Sequence, residues 1–289
     1  MSIKKIAALL LSAVSMLTAA SCTGEGNSQS ETSEPALSTK LTLTVFNVGK
    51  ADAMVLQTDN TVTVIDTGNK GDGKPIEEFL TAQGIDTIDA LIITHFDKDH
   101  VGGATRLVNR MKISNLYVPD YKSDAEDYLS FVQKVREVEM EITQIPMTET
   151  VTWSADDTDF TIYAPNETDY GQNEENDFSL GLLAVHGDNK LFFAGDAENA
   201  RMKEMIDLGI GKVNFLKFPY HGNYLSMTEA FLDAFSPDVT VVCCSEKEYA
   251  DESTVKTLDE RGIETYYMSD GMVTVVSDGK TLTCTQTDK

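Results

Sequence analysis

Basic side chains are scarce in this sequence: 23 Lys and Arg stand against 47 Asp and Glu, for a net charge of −24 at pH 7. Such a balance repels polyanions at long range and argues against a non-specific grip on nucleic acid through phosphate neutralisation. That exclusion concerns net charge only. Lys50, Lys70, Lys74, Lys98 and Lys217 lie in or near the motifs below and are expected to supply a local positive mouth. Cysteine is rarer still, with Cys22, Cys243, Cys244 and Cys284 the only four, and their spacing excludes a zinc finger. Cys243 and Cys244 end the apolar run 238–242, so their side chains face opposite sides of an expected strand. They read as buried, inert thiols, with a disulfide from one of them to Cys284 as the alternative in an oxidising compartment. Long apolar runs are absent beyond residue 20, which excludes a membrane pore formed by these residues.

The one apolar run, residues 6–20, follows Lys4 and Lys5 and ends in Ala19-Ala20-Ser21-Cys22. It is short for a transmembrane helix and gives way to polar sequence, which is the pattern of a cleaved export signal. A cysteine directly after small residues also resembles the bacterial lipobox, in which Cys22 is lipidated and becomes the new N-terminus. Ala19 stands where that motif more often has Leu, so plain secretion is the alternative. Either route puts the protein outside the cytoplasm. Residues 23–39 are Ser, Thr, Glu, Gly and Asn with almost no large apolar side chain, and are expected to form a flexible tether. Residues 40–289 are long enough for one large domain, with no internal repeat and no second linker.

Within that domain, strands are expected over 41–46, 53–57 and 61–65. Pro75 then opens a helix that Gly84 stops. A strand over 90–94 runs into His95, a helix begins near Gly103, and a strand over 115–118 precedes an amphipathic helix over 123–139. A second strand series covers 142–145, 160–163, 180–185 and 190–194, the last two joined by a hairpin through His186-Gly187-Asp188-Asn189. Helices over 198–208, 227–235 and 252–261 alternate with strands over 213–218 and 239–243, and strands over 264–267, 272–277 and 281–285 close the chain. Strand-rich halves, each followed by helices, predict an α/β (α+β) fold of two sheets packed face to face with helices outside.

Only four histidines occur in the chain, and two of them stand in His95-Phe96-Asp97-Lys98-Asp99-His100. Two imidazoles and two carboxylates on one strand-end loop can converge on a point, where a metal ion offsets the cost of crowding like charges. Two further strand tips deliver the same residue types. Phe192-Phe193-Ala194-Gly195-Asp196 ends in a carboxylate, and Lys217-Phe218-Pro219-Tyr220-His221-Gly222-Asn223 carries a histidine. Taken alone, Asp196 is as readily a helix cap and His221 as readily structural. Together with the six-residue loop they predict a metal site. His186, on the hairpin, matches no motif and is expected to be exposed and silent.

In this arrangement the chain resembles the metallo-β-lactamase superfamily, specifically the branch found in ComEC-type competence proteins. Phe46-Asn47-Val48-Gly49-Lys50-Ala51-Asp52-Ala53 is similar to that branch's opening strand-turn "DVGQGDA". Ile65-Asp66-Thr67-Gly68 matches "IDTG", the segment 94–103 matches "SHxDxDHxGG", and Asn176-Asp177-Phe178-Ser179-Leu180 matches "NDxSL". Gly195-Asp196 and Tyr220-His221-Gly222-Asn223 follow as "GD" and "HHGS". The resemblance implies an αββα sandwich with metal ligands among His95, Asp97, Asp99, His100, Asp196 and His221. It implies that Asp196 bridges two ions and that Asp99 doubles as proton acceptor for the attacking water. Asp66 is implied to be structural and near the site, whereas Asn176, Ser179 and Asn223 are candidates to contact substrate.

Three departures bear on chemistry. Asp97 stands where the wider superfamily has His, which makes the donor set richer in oxygen and Mn an alternative to Zn. Tyr220 replaces the first His of "HHGS". Tyr249-Ala250-Asp251-Glu252 falls where relatives often carry Tyr-Gly-His-Pro. The expected activity is metal-dependent hydrolysis of a small phosphodiester or related ester, with DNA as a further candidate, by a membrane-anchored protein outside the cytoplasm. The alternative is a degenerate, non-catalytic module that binds a metal or ligand at the cell surface.

Overall fold

A computed structural model describes residues 39–171 and 175–288. The export signal with Cys22 and most of the tether lie outside the described residues. Thr39, the last tether residue, donates its hydroxyl to Asp157 at 2.8 Å.

The chain runs β1 (Leu41–Val45), β2 (Ala53–Gln57), β3 (Val62–Thr67), α1 (Gly73–Ala82), β4 (Thr87–Ile92), α2 (Lys98–Val101), α3 (Ala104–Arg110), β5 (Lys112–Pro119), α4 (Glu126–Glu137) and β6 (Thr143–Ile145). It continues with β7 (Thr150–Ala155), β8 (Thr158–Tyr163), β9 (Gly181–His186), β10 (Asn189–Phe193), α5 (Asn199–Asp207), β11 (Phe215–Lys217) and α6 (Thr228–Phe235). The last elements are β12 (Val239–Val242), α7 (Glu252–Glu260), β13 (Glu264–Tyr267), β14 (Val273–Ser277) and β15 (Leu282–Gln286).

These strands form an eight-stranded sheet, ordered β15-β14-β1-β2-β3-β4-β5-β6, and a seven-stranded sheet, ordered β13-β12-β11-β10-β9-β8-β7. Each sheet is antiparallel on one side and parallel on the other. The parallel pairs are β3 with β4, β4 with β5 and β5 with β6 in the first sheet, and β10 with β11, β11 with β12 and β12 with β13 in the second. Helical crossovers belong to the parallel halves, because parallel strands need long connections.

Side-chain alternation assigns the layers. In β10, Leu191 and Phe193 enter the core between the sheets, whereas Phe192 turns outward to Phe235 of α6. In β2, Met54 and Leu56 face inward while Val55 joins Ile76, Leu80, Leu107 and Phe131 under α1, α3 and α4. The period of two in strand side chains therefore yields three apolar layers and an αββα sandwich. Each phenylalanine withdrawn from water in these layers contributes about 1.5–3 kcal/mol.

Two expectations change. Thr150–Ala155 is a strand that its Thr- and Ser-rich composition concealed: it lies at the sheet edge, pairs only with β8, and has no fully buried side chain. His186 is buried rather than exposed, because the hairpin tip is packed against β14, where its Nδ1 lies 2.8 Å from Ser277 Oγ. Cys243 and Cys244 are buried free thiols, as expected, and the alternative disulfide to Cys284, itself a free thiol, does not form. Cys243 faces the inter-sheet core and Cys244 the outer layer, as the strand period requires.

Candidate metal centre

The candidate ligands stand at the C-terminal ends of parallel strands, where open α/β sheets present their sites. The segment after β4 carries His95 and Asp97 into the single turn α2, which holds Asp99 and His100. The loop after β10 carries Asp196, and the turn after β11 carries His221. Local backbone is bent to achieve this. Gly195 adopts φ +55°, and a Cβ there would fall 2.8 Å from the Ser179 side chain. Tyr220 and His221 both adopt left-handed conformations, at φ 48° and 52°, as does Asp66 at φ 52°. Such non-glycine residues cost about 1–3 kcal/mol each and persist where the surroundings hold them.

Asp66, fully buried at the end of β3, organises two of the histidines. Its carboxylate accepts the Thr94 N–H at 2.8 Å, the Thr94 hydroxyl at 2.7 Å and His100 Nδ1–H at 2.8 Å. The Thr94 hydroxyl proton is thereby committed, so its oxygen accepts from His95 Nδ1, 3.2 Å away. His221 Nδ1 donates to the carbonyl of Cys243 at 2.8 Å. All three rings thus keep a proton on Nδ1, which reserves Nε2 as the nitrogen that a metal would take.

Those three Nε2 atoms are buried and make no hydrogen bond. Carboxylates face them instead. Asp196 Oδ2 lies 2.8 Å from His221 Nε2 and 3.3 Å from His100 Nε2, without hydrogen-bond alignment. Asp99 Oδ2 is 3.2 Å from His221 Nε2, and Asp97 Oδ2 is 3.8 Å from His95 Nε2. The His95 and His100 ring centres are 4.0 Å apart. All six expected ligands are brought to one place, with Asp97 the most exposed of them.

Crowding of charge perturbs each group. Burial, reinforced by the neighbouring His100, pushes His95 down to about 3. Burial opposes a charge on His221 too, but Asp196, Asp99 and Asp52 outweigh it and lift it to about 9. His100 is raised in the same way, by Asp196, Asp66 and Asp52 against its burial. Burial also lifts Asp97 to about 6; desolvation acts on Asp99 in the same direction, but the close approach of His221 and the charge on His100 outweigh it and lower that group. Protons on His100 and His221 therefore occupy the role that a divalent cation fills on binding. Orphaned imidazole nitrogens among carboxylates fit such an ion.

The remaining candidates separate from this cluster. Ser179 is fully buried: its hydroxyl accepts the Asp196 N–H at 3.0 Å and lies 3.4 Å from His95 Nδ1, so it braces two ligands. Asn176 is half-buried and donates to Glu198 at 2.8 Å. Asn223 is half-buried, with its N–H on the Tyr220 carbonyl at 2.9 Å. The helix-cap reading of Asp196 fails, because Asp177 Oδ1 accepts the N–H groups of Glu198 and Arg201 at the start of α5. Lys217 does not form part of a positive mouth: it is fully buried, pairing with Asp52 and lying 3.1 Å from Asp196 Oδ1.

Three contributors escaped the sequence reading. Asp52 belongs with His100, Asp196 and His221 to a buried set whose ligand atoms all lie within 4.8 Å of one another, and it was legible only as part of the opening strand-turn. Thr94 sets the His95 tautomer from a position whose apolar neighbours suggest plain strand. Tyr121 accepts the Phe96 N–H at 2.7 Å and so anchors the ligand loop from 25 residues away.

A family model described as "Metallo-beta-lactamase superfamily" matches residues 47–246. Recombination protein 2 of Haemophilus influenzae is 26% identical over 202 residues, covering 68% of this chain and 23% of its own. ComE operon protein 3 of Bacillus subtilis is 27% identical over 228 residues, covering 72% of this chain and 29% of its own. The chain thus spans about a quarter of the length of these curated relatives. Among solved structures, CmlA, a diiron beta-hydroxylase from Streptomyces venezuelae, matches with a TM-score of 0.50 at 16% identity, covering 88% of this chain and 55% of that one. At such identity the likeness concerns the fold alone.

Proposed function

Because the chain belongs to the metallo-beta-lactamase superfamily, we propose that it is a metal-dependent hydrolase of small phosphodiesters or related esters, acting outside the cytoplasm from a lipid anchor at Cys22. The observation that carries the hydrolase reading is the gathering of three buried, hydrogen-bond-free Nε2 atoms among the carboxylates of Asp97, Asp99 and Asp196. His95, His100, His221, Asp99 and Asp196 would hold the metal, with Asp97 at the open edge. When bound, a divalent ion supplies Lewis acidity and a water nucleophile at neutral pH. Zn fits the imidazole donors, and the carboxylate-rich remainder makes Mn the alternative.

The chain's own residues supply the rest. Asp99, one-fifth exposed at its side chain, accepts the proton of the attacking water. Asp66 and the Cys243 carbonyl keep the imidazoles oriented. Ser179 holds the Asp196 loop. Asn176 and Asn223 are assigned to substrate contact. A relative named for recombination keeps DNA among the substrates to be tested, but the acidic net charge and the burial of Lys217 favour a small substrate.

A second reading, a non-catalytic binding module, draws support from Tyr220 and from Asp251, whose carboxylate is engaged by the Tyr224 N–H at 2.8 Å. Metal analysis of the purified chain, followed by a screen of phosphodiester, lactone and DNA substrates, decides between the readings. Turnover of a small phosphodiester, abolished by chelation and restored by Zn or Mn, is expected. A fully metallated protein that turns over no ester would leave the binding module. Release of the Cys22→Ala variant from membranes tests the anchor.

A further inference from the structure

Resting on the metal-hydrolase reading, we propose that Lys217 is a positioning residue: its ammonium holds Oδ1 of Asp196 together with the carboxylate of Asp52, so that a metal is received through Oδ2 of Asp196 and not through Asp52.

Asp52, His100, Asp196 and His221 taken alone form a four-group set compact enough to enclose a cation. Lys217 divides that set. A lysine ammonium has three donors, and this one meets three acceptors: Asp52 Oδ2, the Gly195 carbonyl at 2.7 Å and Asp196 Oδ1 at 3.1 Å. The side chain is fully buried, so no water takes its place as partner. Asp52 lies on the far edge of the imidazoles, 3.9 Å from His100 Nδ1 and 3.7 Å from His221 Nδ1. A carboxylate on that edge faces away from the Nε2 lone pairs of the same rings. Asp196 does the reverse, with Oδ2 turned toward both Nε2 atoms. One ammonium therefore sets which carboxylate ligates and through which oxygen.

The physical reason for a built-in cation is charge compensation. Two buried carboxylates without a partner are costly, and breaking such a pair from one side leaves an uncompensated charge. Lys217 supplies the compensation whether or not a metal is bound, so Asp196 is oriented in advance and need not rotate on metal binding.

Cobalt(II), whose visible band reports coordination number, tests this. Lys217→Met alone strands Asp52 and is expected to fold poorly, whereas Lys217→Met combined with Asp52→Asn removes both charges and restores folding. In the double variant the freed Oδ1 of Asp196 joins the cation, so the cobalt band is expected to weaken severalfold and cobalt affinity to change by about tenfold or more. A wild-type spectrum and affinity in the folded double variant would overturn the proposal and leave Lys217 a structural ion pair. On the wild-type chain, 15N NMR of lysine Nζ is expected to show one slowly exchanging ammonium both without metal and with zinc. Its loss on zinc loading would mean that the lysine leaves Asp196, and would equally overturn the proposal. Failure of the wild type to bind either metal would remove the metal-hydrolase reading and this proposal together, whereas binding with an unaltered double variant removes the proposal alone.

Discussion

Buried histidines stand at both ends of the sandwich, and they differ in company rather than in burial. At the end of β10 that leads to Asp196, His100 and His221 are enclosed with Asp52, Asp66, Asp99 and Asp196 within 4 Å of their nitrogens. At the opposite end, on β9 where His186 pairs with Asn189 at the start of β10, His186 is equally buried and also has an Nε2 without a hydrogen bond. Its close neighbours, though, are the Ser277 hydroxyl at 2.8 Å and, through that hydroxyl, the Asn189 amide. Burial lowers His186 despite Asp157 and Asp278, whereas carboxylates raise His100 and His221 despite the same burial. A spare imidazole nitrogen therefore does not mark a ligand. Negative charge gathered around that nitrogen does, because only a cation relieves it.

The largest effect expected from breaking this arrangement is on turnover. Asp99→Asn keeps the shape of the ligand loop but weakens proton acceptance, and should lower kcat by about 10²–10⁴ with the circular dichroism spectrum unchanged. Next comes the contrast between the two ends. His100→Ala should weaken metal binding by more than about 100-fold in chelator competition, beyond the range for supporting residues. His186→Ala should leave metal affinity at the wild-type value while lowering unfolding free energy by about 1–3 kcal/mol, the cost of disturbing a buried polar pair. Equal losses of metal in these two variants would erase the distinction drawn above.

Asp66→Asn sharpens the comparison from one step behind the ligands. It removes the charge that orders Thr94 and His100, and affinity should fall by about 10–100-fold without loss of the fold. The smallest effect concerns pH. His221 is raised from 6.5 to about 9 in the metal-free protein, so its contribution to stability is fully present below pH 6.5 and is lost as pH rises through 9. Metal-free protein should accordingly lose roughly 5 °C or more in Tm between those values. Zinc-loaded protein should show a flatter profile, since the metal replaces the proton on that ring.

The order of strands and helices was legible because strand and helix periods differ and because Pro75, Gly84 and the strand-end glycines punctuate them. The ligand loop was legible for a different reason: His95, Asp97, Asp99 and His100 are neighbours in sequence, so local density alone betrays them. Thr150–Ala155 was not, since an edge strand without a buried face carries no apolar signal. Nor was the fate of His186, which depends on contact with Ser277, 91 residues away.

By itself, the sequence carried the order of strands and helices that predicts two facing sheets with helices outside and, through its resemblance to a known family, the six residues that lie together at the candidate centre. Only the tertiary structure decided what each oxygen and nitrogen does there. Tautomers are set by acceptors such as the Cys243 carbonyl, and the reach of Asp196 is set by Lys217, a residue that looked like surface charge in the linear chain. Hydrogen bonds act over about 3 Å in space, and the residues that meet Asp196 and Lys217 at that distance lie 17 to 165 positions away.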